Sequence, residues 1–376
     1  MAMGYIFWLF VSIIFYIYIG YPLVLRMANF TGQITKKENI TPHVTLFIPA
    51  HNEQKVIREK IENSLALDYP TDKFEVIVAS DGSGDSTASI VKDFIERGVI
   101  LFETKERRGK NFSINEFIPR CHGEIIVFTD ANSFFEPDAI RHLVRNFGDK
   151  SVGCVVGNLR YTDEETSVGQ GEGLYFRYES MIKELESRYG TLVAATGSIY
   201  AIRKTLFTPL DLDVANDFAD PIQIAAKGYK ILFEPEAIAY EKATSSTADE
   251  FKRRARIVTR GMTAFVRYWR SYHMFKGMWG FCFISHKLLR WFIPFFLIAI
   301  FLSNLLLHSI FFRFTLYSQF VFYSIALIGI PFNRRLGRPF VVPYYFCVIN
   351  AAAFVGILKY LSGKRESIWE VAKTTR

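Results

Sequence analysis

Cysteine is scarce in this chain: four among 376 residues, at positions 121, 154, 282 and 347. They are scattered without metal-ligand spacing, which excludes a disulfide framework and a zinc site as organising features. Internal repeats and low-complexity stretches are also missing, so the chain is not a solenoid. The net charge of +8 is accompanied by no recognisable nucleic-acid-binding module, and nucleic acid is not expected as a partner. The most informative absence is local. Residues 1–25, 291–312, 314–333 and 339–358 contain no charged side chain at all.

Each of these four runs is long enough to cross a bilayer as a helix. They account for a hydrophobic content of 50% and for many of the 36 phenylalanines. The first run lacks a basic leader and a small-residue cleavage site, which reads as a retained anchor rather than a secretory signal. The other three follow one another separated only by Arg313 and by residues 333–338, a pattern of membrane segments rather than of soluble core helices. The basic residues gather near these runs and at 252–260, as expected of a surface lying against anionic headgroups. The predicted division is an anchor at 1–25, a soluble catalytic domain at 40–275, an interfacial segment at 276–290, about three membrane segments within 291–361 and a tail at 362–376.

The soluble part reads as one α/β domain with a mostly parallel sheet. Strands are predicted at 44–49, 75–79, 99–103, 124–128 and 152–156, alternating with helices at 53–67, 86–97, 110–118 and 137–147. A further helix is predicted at 170–189. The strand at 124–128 leads into Thr129, Asp130, Ala131, Asn132 and Ser133. In open α/β sheets the loops leaving strand carboxyl ends line the ligand crevice, so Asp130 either faces a ligand or caps the next helix. In chain order the first strand ends in Pro49, Ala50, His51, Asn52 and Glu53, and the second in Ser80, Asp81, Gly82, Ser83 and Gly84, with Asp85 or Ser86 able to cap a helix. Thr87 stands where a dinucleotide fingerprint needs its third glycine, so a mononucleotide pocket fits better. Arg107, Arg108, Gly109 and Lys110 open a helix whose free N–H groups and cations could meet a phosphate, or form a solvated turn.

Together these stretches resemble the inverting family 2 glycosyltransferases of the GT-A fold, particularly membrane-anchored bacterial members, over residues 42–270. Pro49-Ala50-His51-Asn52-Glu53 is similar to the family's Pro-Ala-x-Asn-Glu, Ser80-Asp81-Gly82-Ser83 to its nucleotide-contacting Asp-Gly-Ser, and Gly109-Lys110 with Asn115 to its Gly-Lys-x-x-x-x-Asn. The resemblance implies donor contacts from Pro49, Ala50, Asn52, Glu53, Asp81, Gly82, Lys110, Asp130 and Arg253. It also implies a divalent cation, Mg²⁺ or Mn²⁺, at the strand end beginning with Asp130. The family's second acid there is replaced by Asn132, which offers an oxygen but no charge.

Further along, the resemblance places Gly197 and Ser198 at the acceptor site, and Glu179 on its helix is a candidate to face the same cleft. Asp217 takes the place of the catalytic base, the group that removes a proton from the attacking hydroxyl. Arg253-x-x-Arg256-Ile257 stands where processive synthases carry Gln-x-x-Arg-Trp, so the guanidinium of Arg256 is retained for the leaving diphosphate and the aromatic platform is lost. The expected activity is transfer of a hexose-like sugar from a nucleotide-diphosphate sugar, a UDP-sugar by expectation, to a lipid-linked or surface-glycan acceptor at the bilayer. A processive exopolysaccharide synthase and a non-catalytic sugar-nucleotide-binding scaffold are the alternatives.

The expected location is multi-pass in the inner membrane with the catalytic domain cytoplasmic. Lys287 and Arg290 are expected to snorkel to headgroups beside Trp291. Four full passes would put both ends outside, whereas Lys359, Lys364, Arg365, Lys373 and Arg376 favour an inside end. Residues 339–358, with Asn350 and two prolines, are therefore predicted to form a re-entrant or tilted element.

Overall fold

Eight strands form one sheet: β1 (Val44–Ala50), β2 (Phe74–Asp81), β3 (Val99–Thr104), β4 (Ile125–Phe128), β5 (Phe134–Phe135), β6 (Val152–Thr162), β7 (Tyr200–Arg203) and β8 (Lys230–Lys242). The computed structural model describes residues 2–28, 36–162, 166–269, 277–328 and 338–363. The strand order is β3-β2-β1-β4-β7-β6-β8-β5. The half from β3 to β4 is parallel, as predicted. β7 then runs antiparallel to both β4 and β6, β8 is parallel to β6, and β5 is antiparallel to β8. The sheet is therefore mixed, because β7 and β5 enter between or beside their neighbours from the opposite direction. β6 also continues well past the predicted end at 156.

Eleven helices are described here in chain order: α1 (Ala2–Ala28), α2 (Ile57–Leu65), α3 (Thr87–Lys92), α4 (Lys110–Phe117), α5 (Ala139–Val144), α6 (Ser167–Ser187), α7 (Asn216–Ala226), α8 (Thr247–Tyr268), α9 (Met278–Leu305), α10 (Ile310–Ile328) and α11 (Arg338–Leu361). α2 starts later than predicted because residues 53–56 form a turn in which the Glu53 carbonyl accepts from the Val56 and Ile57 amides. Before α3 it is Asp85 that caps, its Oδ1 accepting from the Thr87 amide at 3.0 Å, and not Ser86. α3 ends at Lys92 and the chain turns through a 3₁₀ segment to Gly98, whose φ of 89° suits glycine.

Side chains alternate across the strands, as the pleat dictates. Leu46, Ile48, Val76, Val78, Ile125 and Val127 enter the core beneath α2 and α5. Phe47, Ile77, Ala79, Ile126 and Phe128 enter the core on the other face, which continues into α7, α8 and apolar residues such as Trp291, Ala353 and Ile357. One face of the sheet is thus closed by ordinary amphipathic helices. The other merges with helices long and apolar enough to cross a membrane.

Among the described residues four helices meet that description: α1, α9, residues 310–327 of α10, and residues 339–361 of α11. Two differences from the sequence reading stand out. The stretch predicted as interfacial, 276–290, is from Met278 onward part of α9, continuous through a π-helical segment at Ile284–Leu288. Lys287 and Arg290 do not reach outward; both pair with Glu179 of α6. α11, the stretch predicted as a re-entrant or tilted element, is one unbroken helix with Pro343 inside it, a form that fits a tilt and not a re-entrant bend. Residues 333–337 and those from 364 onward, including Lys364, Arg365, Lys373 and Arg376, lie outside the described residues.

Candidate active site

The loops after β1 and β2 hold each other. Asn52 adopts φ 55°, in the left-handed region that few residues other than glycine and asparagine enter. Its Oδ1 accepts from the Gly84 amide at 2.8 Å, its own amide donates to Ser83 Oγ at 3.2 Å, and His51 Nδ1 lies 2.7 Å from the Asp81 carbonyl. Glu53 is buried and its amide donates to Thr87 Oγ1 at 2.8 Å. Gly82 has φ 57°, and a β-carbon there would come within 2.4 Å of the Arg107 amide nitrogen. The Asp-Gly pair therefore lets the 106–109 turn lie directly on the end of β2.

Asp81 fixes that turn, accepting from the Arg108 amide at 2.8 Å and the Gly109 amide at 2.7 Å. Two of the N–H groups expected to be free for a phosphate are thus already held by a carboxylate. The turn aims Lys110, whose Nζ donates to Asp130 Oδ1 at 2.7 Å. Asn115, at the other end of α4, bonds the amide and carbonyl of Leu210, while Asn111 donates to the carbonyls of Asp211 and Val214. α4 therefore clasps the segment that delivers Asp217.

Asp217 stands in the first turn of α7, its carbonyl accepting from the Ala195 amide at 2.7 Å. Gly197 lies between the two acids: a β-carbon there would be 3.4 Å from Asp217 Oδ2 and 3.8 Å from Asp130 Oδ2. Burial raises the Asp217 pKa, the Asp130 charge pushes in the same direction, and Lys110 and Arg260 oppose it. Behind it Tyr200 donates to Asp220 at 2.7 Å and accepts from Asn216 at 2.7 Å, and its ring stacks on Phe128 of β4. The strand that leads to Asp130 and the helix that carries Asp217 are locked through one tyrosine.

A cavity of about 390 Å³ opens on this pair. Of the sequence-predicted residues it gathers Lys110, Asp130, Asn132, Glu179, Gly197, Ser198, Asp217, Arg253 and Arg256. Pro49, Ala50, Asn52, Glu53, Asp81 and Gly82 do not line it; they sit in β1, β2 and the turns that follow. Arg253 faces the cavity but is bound to Glu172, Glu250 and the Tyr161 hydroxyl. Glu179 is bound to His286, Lys287 and Arg290. Burial would raise the Glu179 pKa, yet Lys287 and Arg290, together with the hydrogen bond to His286, hold it well below the usual carboxylate range.

Sequence reasoning missed four cavity or supporting groups. Glu241 near the end of β8 lines the cavity, bonds Ser133, and has its pKa raised by burial and by Asp130. Lys183 donates to Thr196 Oγ1 at 2.5 Å. Arg260 donates to the Val214 carbonyl. Lys60, buried beneath the Asp130 loop, donates to Thr129 Oγ1 at 3.0 Å and the Ser133 carbonyl at 2.5 Å, and burial lowers its pKa to about 7. An acid in the apolar run of β8 and a lysine on the apolar face of α2 were the available signals.

A divalent cation is compatible with the donor set at the end of β4. Asp130 Oδ1 is held by Lys110 while Oδ2 faces Gly197, and Asn132 adds an amide to the same cavity. One carboxylate and one amide suit a hard cation that keeps water or a ligand's own oxygens in its remaining positions. Among the described residues no group of three His, Cys, Asp or Glu side chains forms a closed metal cage.

Residues 45–207 match the family described as Glycosyl transferase family 2. The probable glycosyltransferase YdaM of Bacillus subtilis (strain 168) is 29% identical over 259 residues, covering 63% of this chain and 61% of that protein. The poly-beta-1,6-N-acetyl-D-glucosamine synthase of Staphylococcus aureus (strain COL) is 26% identical over 231 residues, covering 60% and 56%. The chain thus matches less than two thirds of the length of these curated relatives. A solved structure of the mannosyltransferase PcManGT from Pyrobaculum calidifontis, in complex with GDP-Man and Mn²⁺, aligns with a TM-score of 0.74 at 21% identity, over 96% of this chain and 100% of that one. The mixed sheet is that of the GT-A fold, and the chain carries a glycosyl transferase family 2 domain.

Proposed function

We propose that the protein is a membrane-bound inverting glycosyltransferase that moves a sugar from a nucleotide-diphosphate sugar to a lipid-linked or surface-glycan acceptor. The observation that carries this reading is the reach of the cavity. It runs from Lys110, Asp130 and Asp217 to Tyr18 of α1, Ile293 of α9 and Asn350 of α11. A water-soluble donor can approach from the sheet edge, and an acceptor anchored in lipid can approach from the helices.

In this mechanism the acceptor hydroxyl attacks the anomeric carbon from the side opposite the diphosphate. Its proton passes to an Asp217 oxygen as the new C–O bond forms and the bond to the diphosphate oxygen breaks. Burial makes Asp217 a stronger base than an exposed aspartate. Arg256 faces the cavity and would neutralise charge growing on the departing diphosphate. Asp130 and Asn132 would hold the divalent cation, Mg²⁺ or Mn²⁺, which when bound supplies positive charge to the diphosphate. Lys110 orients Asp130 for that task. The proposed setting is the inner membrane with the catalytic domain in the cytoplasm.

A processive polysaccharide synthase is the second reading, favoured by the name of the staphylococcal relatives. Against it, the cavity wall presents Ile257 where a stacking aromatic would serve a growing chain. The test is product length. The purified full-length protein in nanodiscs, given labelled UDP-sugars and GDP-mannose with Mn²⁺ or Mg²⁺ and a membrane lipid extract, should yield a single-sugar product. A ladder would establish the synthase, and donor binding without transfer by any pairing would favour a non-catalytic scaffold.

A further inference from the structure

The four apolar helices do not behave alike. α1, α9 and α10 leave the catalytic domain together: Tyr16 bonds Ser285, Phe10 stacks on Phe296, Phe7 meets Phe312 and Phe301 meets Phe320. Along α1 these contacts run outward from Tyr16 through Phe10 to Phe7. Only 11% of the apolar window of α1 and 6% of that of α10 is buried within the protein, against 50% for α11. The bundle is exposed to its surroundings, whereas α11 is held against the protein along its length.

α11 packs along α8 and also touches the bundle, Phe346 meeting Tyr18 and Phe322, and Phe354 meeting Phe295. The Tyr344 hydroxyl lies 2.6 Å from Thr247 Oγ1, the Tyr345 hydroxyl donates to Glu250 at 2.7 Å and accepts from Arg254 at 2.9 Å, and Thr259 Oγ1 donates to the Gly356 carbonyl at 2.9 Å. A β-carbon at Gly356 would come within 2.6 Å of the Ala255 carbonyl oxygen, so glycine permits this close approach. As the residue number rises along α11 it rises along α8. The two helices therefore run side by side in the same direction from Tyr344 to Gly356, about 18 Å at the α-helical rise.

α8 carries Lys252, Arg253, Arg254, Arg256, Arg260 and Arg267. Such a helix cannot lie in hydrocarbon, where each uncompensated charge costs at least ~2.5 kcal/mol on the lowest scale. A companion that stays beside it for 18 Å cannot cross the hydrocarbon over that length. Its buried face is Val341, Tyr344, Tyr345, Ala352, Ala353 and Ile357, at helical spacing. Its opposite face, with Phe340, Ala351 and Leu358, is exposed and apolar.

We propose that α11 lies in the plane of the membrane, its outer face seated in the leaflet next to the catalytic domain, and that the chain crosses the bilayer three times. The partner of this face is the lipid surface itself. Residues on both sides of α11 then share the catalytic domain's side, so Lys359, Lys364, Arg365, Lys373 and Arg376 all fall there. This removes the conflict between four passes and the positive-inside distribution without moving the domain.

The experiment uses the full-length protein in right-side-out and inverted vesicles, with single cysteines at Asp72→Cys in the domain, His308→Cys between α9 and α10, Arg335→Cys and Ser362→Cys, and a membrane-impermeant maleimide. The unsubstituted chain, whose Cys121, Cys154 and Cys282 are buried, gives the background. Asp72→Cys, Arg335→Cys and Ser362→Cys should react from one side and His308→Cys from the other. Labelling of Ser362→Cys from the side opposite Asp72→Cys overturns the proposal, as does labelling of Arg335→Cys from that side. Nitroxides at Phe340→Cys and Leu358→Cys, five full turns apart on one face, give a second readout: equal depths are expected, while a spanning helix would separate them by about 27 Å.

Discussion

The Lys110 ammonium lies 2.7 Å from Oδ1 of Asp130, with the two side chains 11% and 29% exposed. An exposed ion pair would contribute little, but this one is largely enclosed and stands at the strand end where a diphosphate would lie. Lys110→Met removes a positive charge from that position and frees Asp130 to move. Donor binding should weaken by about ten-fold, ~1.4 kcal/mol, in calorimetry with Mn²⁺ present, with little change in Tm. An unchanged Kd would remove Lys110 from the donor site.

Gly197 tests the spacing of the two acids. The added β-carbon of Gly197→Ala would make ordinary contacts of 3.4 Å to Asp217 Oδ2 and 3.8 Å to Asp130 Oδ2, so the fold should survive. The methyl group occupies the space between the acids, where reacting atoms must align closely. A misplacement of about 1 Å costs about 10²-fold in rate. Circular dichroism and donor binding near normal, with kcat down by about that factor, is the expected outcome; normal kcat would place the reaction elsewhere.

Asp217 should set the acidic limb of the rate profile. Burial and the Asp130 charge raise its pKa above the ordinary 3.8. A base works only when deprotonated, so kcat should fall as pH drops through a value above 3.8. Asp217→Asn should abolish that limb and reduce transfer by about 10²- to 10⁴-fold. Retained transfer in Asp217→Asn would assign the base to another group.

Glu179 lines the cavity and also holds two helices together. It is the common partner of His286, Lys287 and Arg290, which tie α9 to α6. Removing one member of a buried charge cluster leaves the others uncompensated, at a cost of about 3–5 kcal/mol. Glu179→Ala should therefore lower Tm in detergent and expose the α6–α9 contact to protease, while Glu179→Gln should lose less. Equal stability of Glu179→Ala and the parent would show that the cluster contributes nothing to docking.

The pattern of what the sequence revealed follows from how far apart the interacting residues lie. Strand ends were legible at Ala50, Asp81 and Asp130 because a buried run stopping at a polar residue is a local signal. Asp217 needed the family resemblance, since an aspartate opening a helix is commonly a cap. Arg253 read as a donor contact because its partners, Glu172 and Glu250, are recognisable only once α6 and α8 are packed together. Lys287 and Arg290 read as headgroup anchors for the same reason: nothing near them in sequence announces Glu179, more than a hundred residues earlier. The sheet's antiparallel members were hidden because β5 is two residues long and the direction of β7 depends on the path of the chain before it.

Asp220 yields a stability measurement independent of turnover. Burial raises its pKa from 3.8 to about 7; Asp217 adds to the rise, while the Tyr200 hydrogen bond and the Lys110 and Lys227 charges oppose it. Cys154 also faces it from β6. In the unfolded chain Asp220 ionises near 3.8, whereas the folded chain keeps its proton up to about 7. The folded state binds more protons across that window, so stability from the neutral acid is full below 3.8 and is lost as pH rises through about 7. The slope approaches ~1.4 kcal/mol per pH unit between those limits. Asp220→Asn keeps an acceptor for the Tyr200 hydroxyl but cannot ionise. Its Tm should therefore decline less than the parent's between pH 5 and pH 8, with the difference between the two curves isolating Asp220 from other titrating groups. Parallel curves would show that Asp220 is ionised throughout, and that the Tyr200 bond and the two lysine charges outweigh its burial.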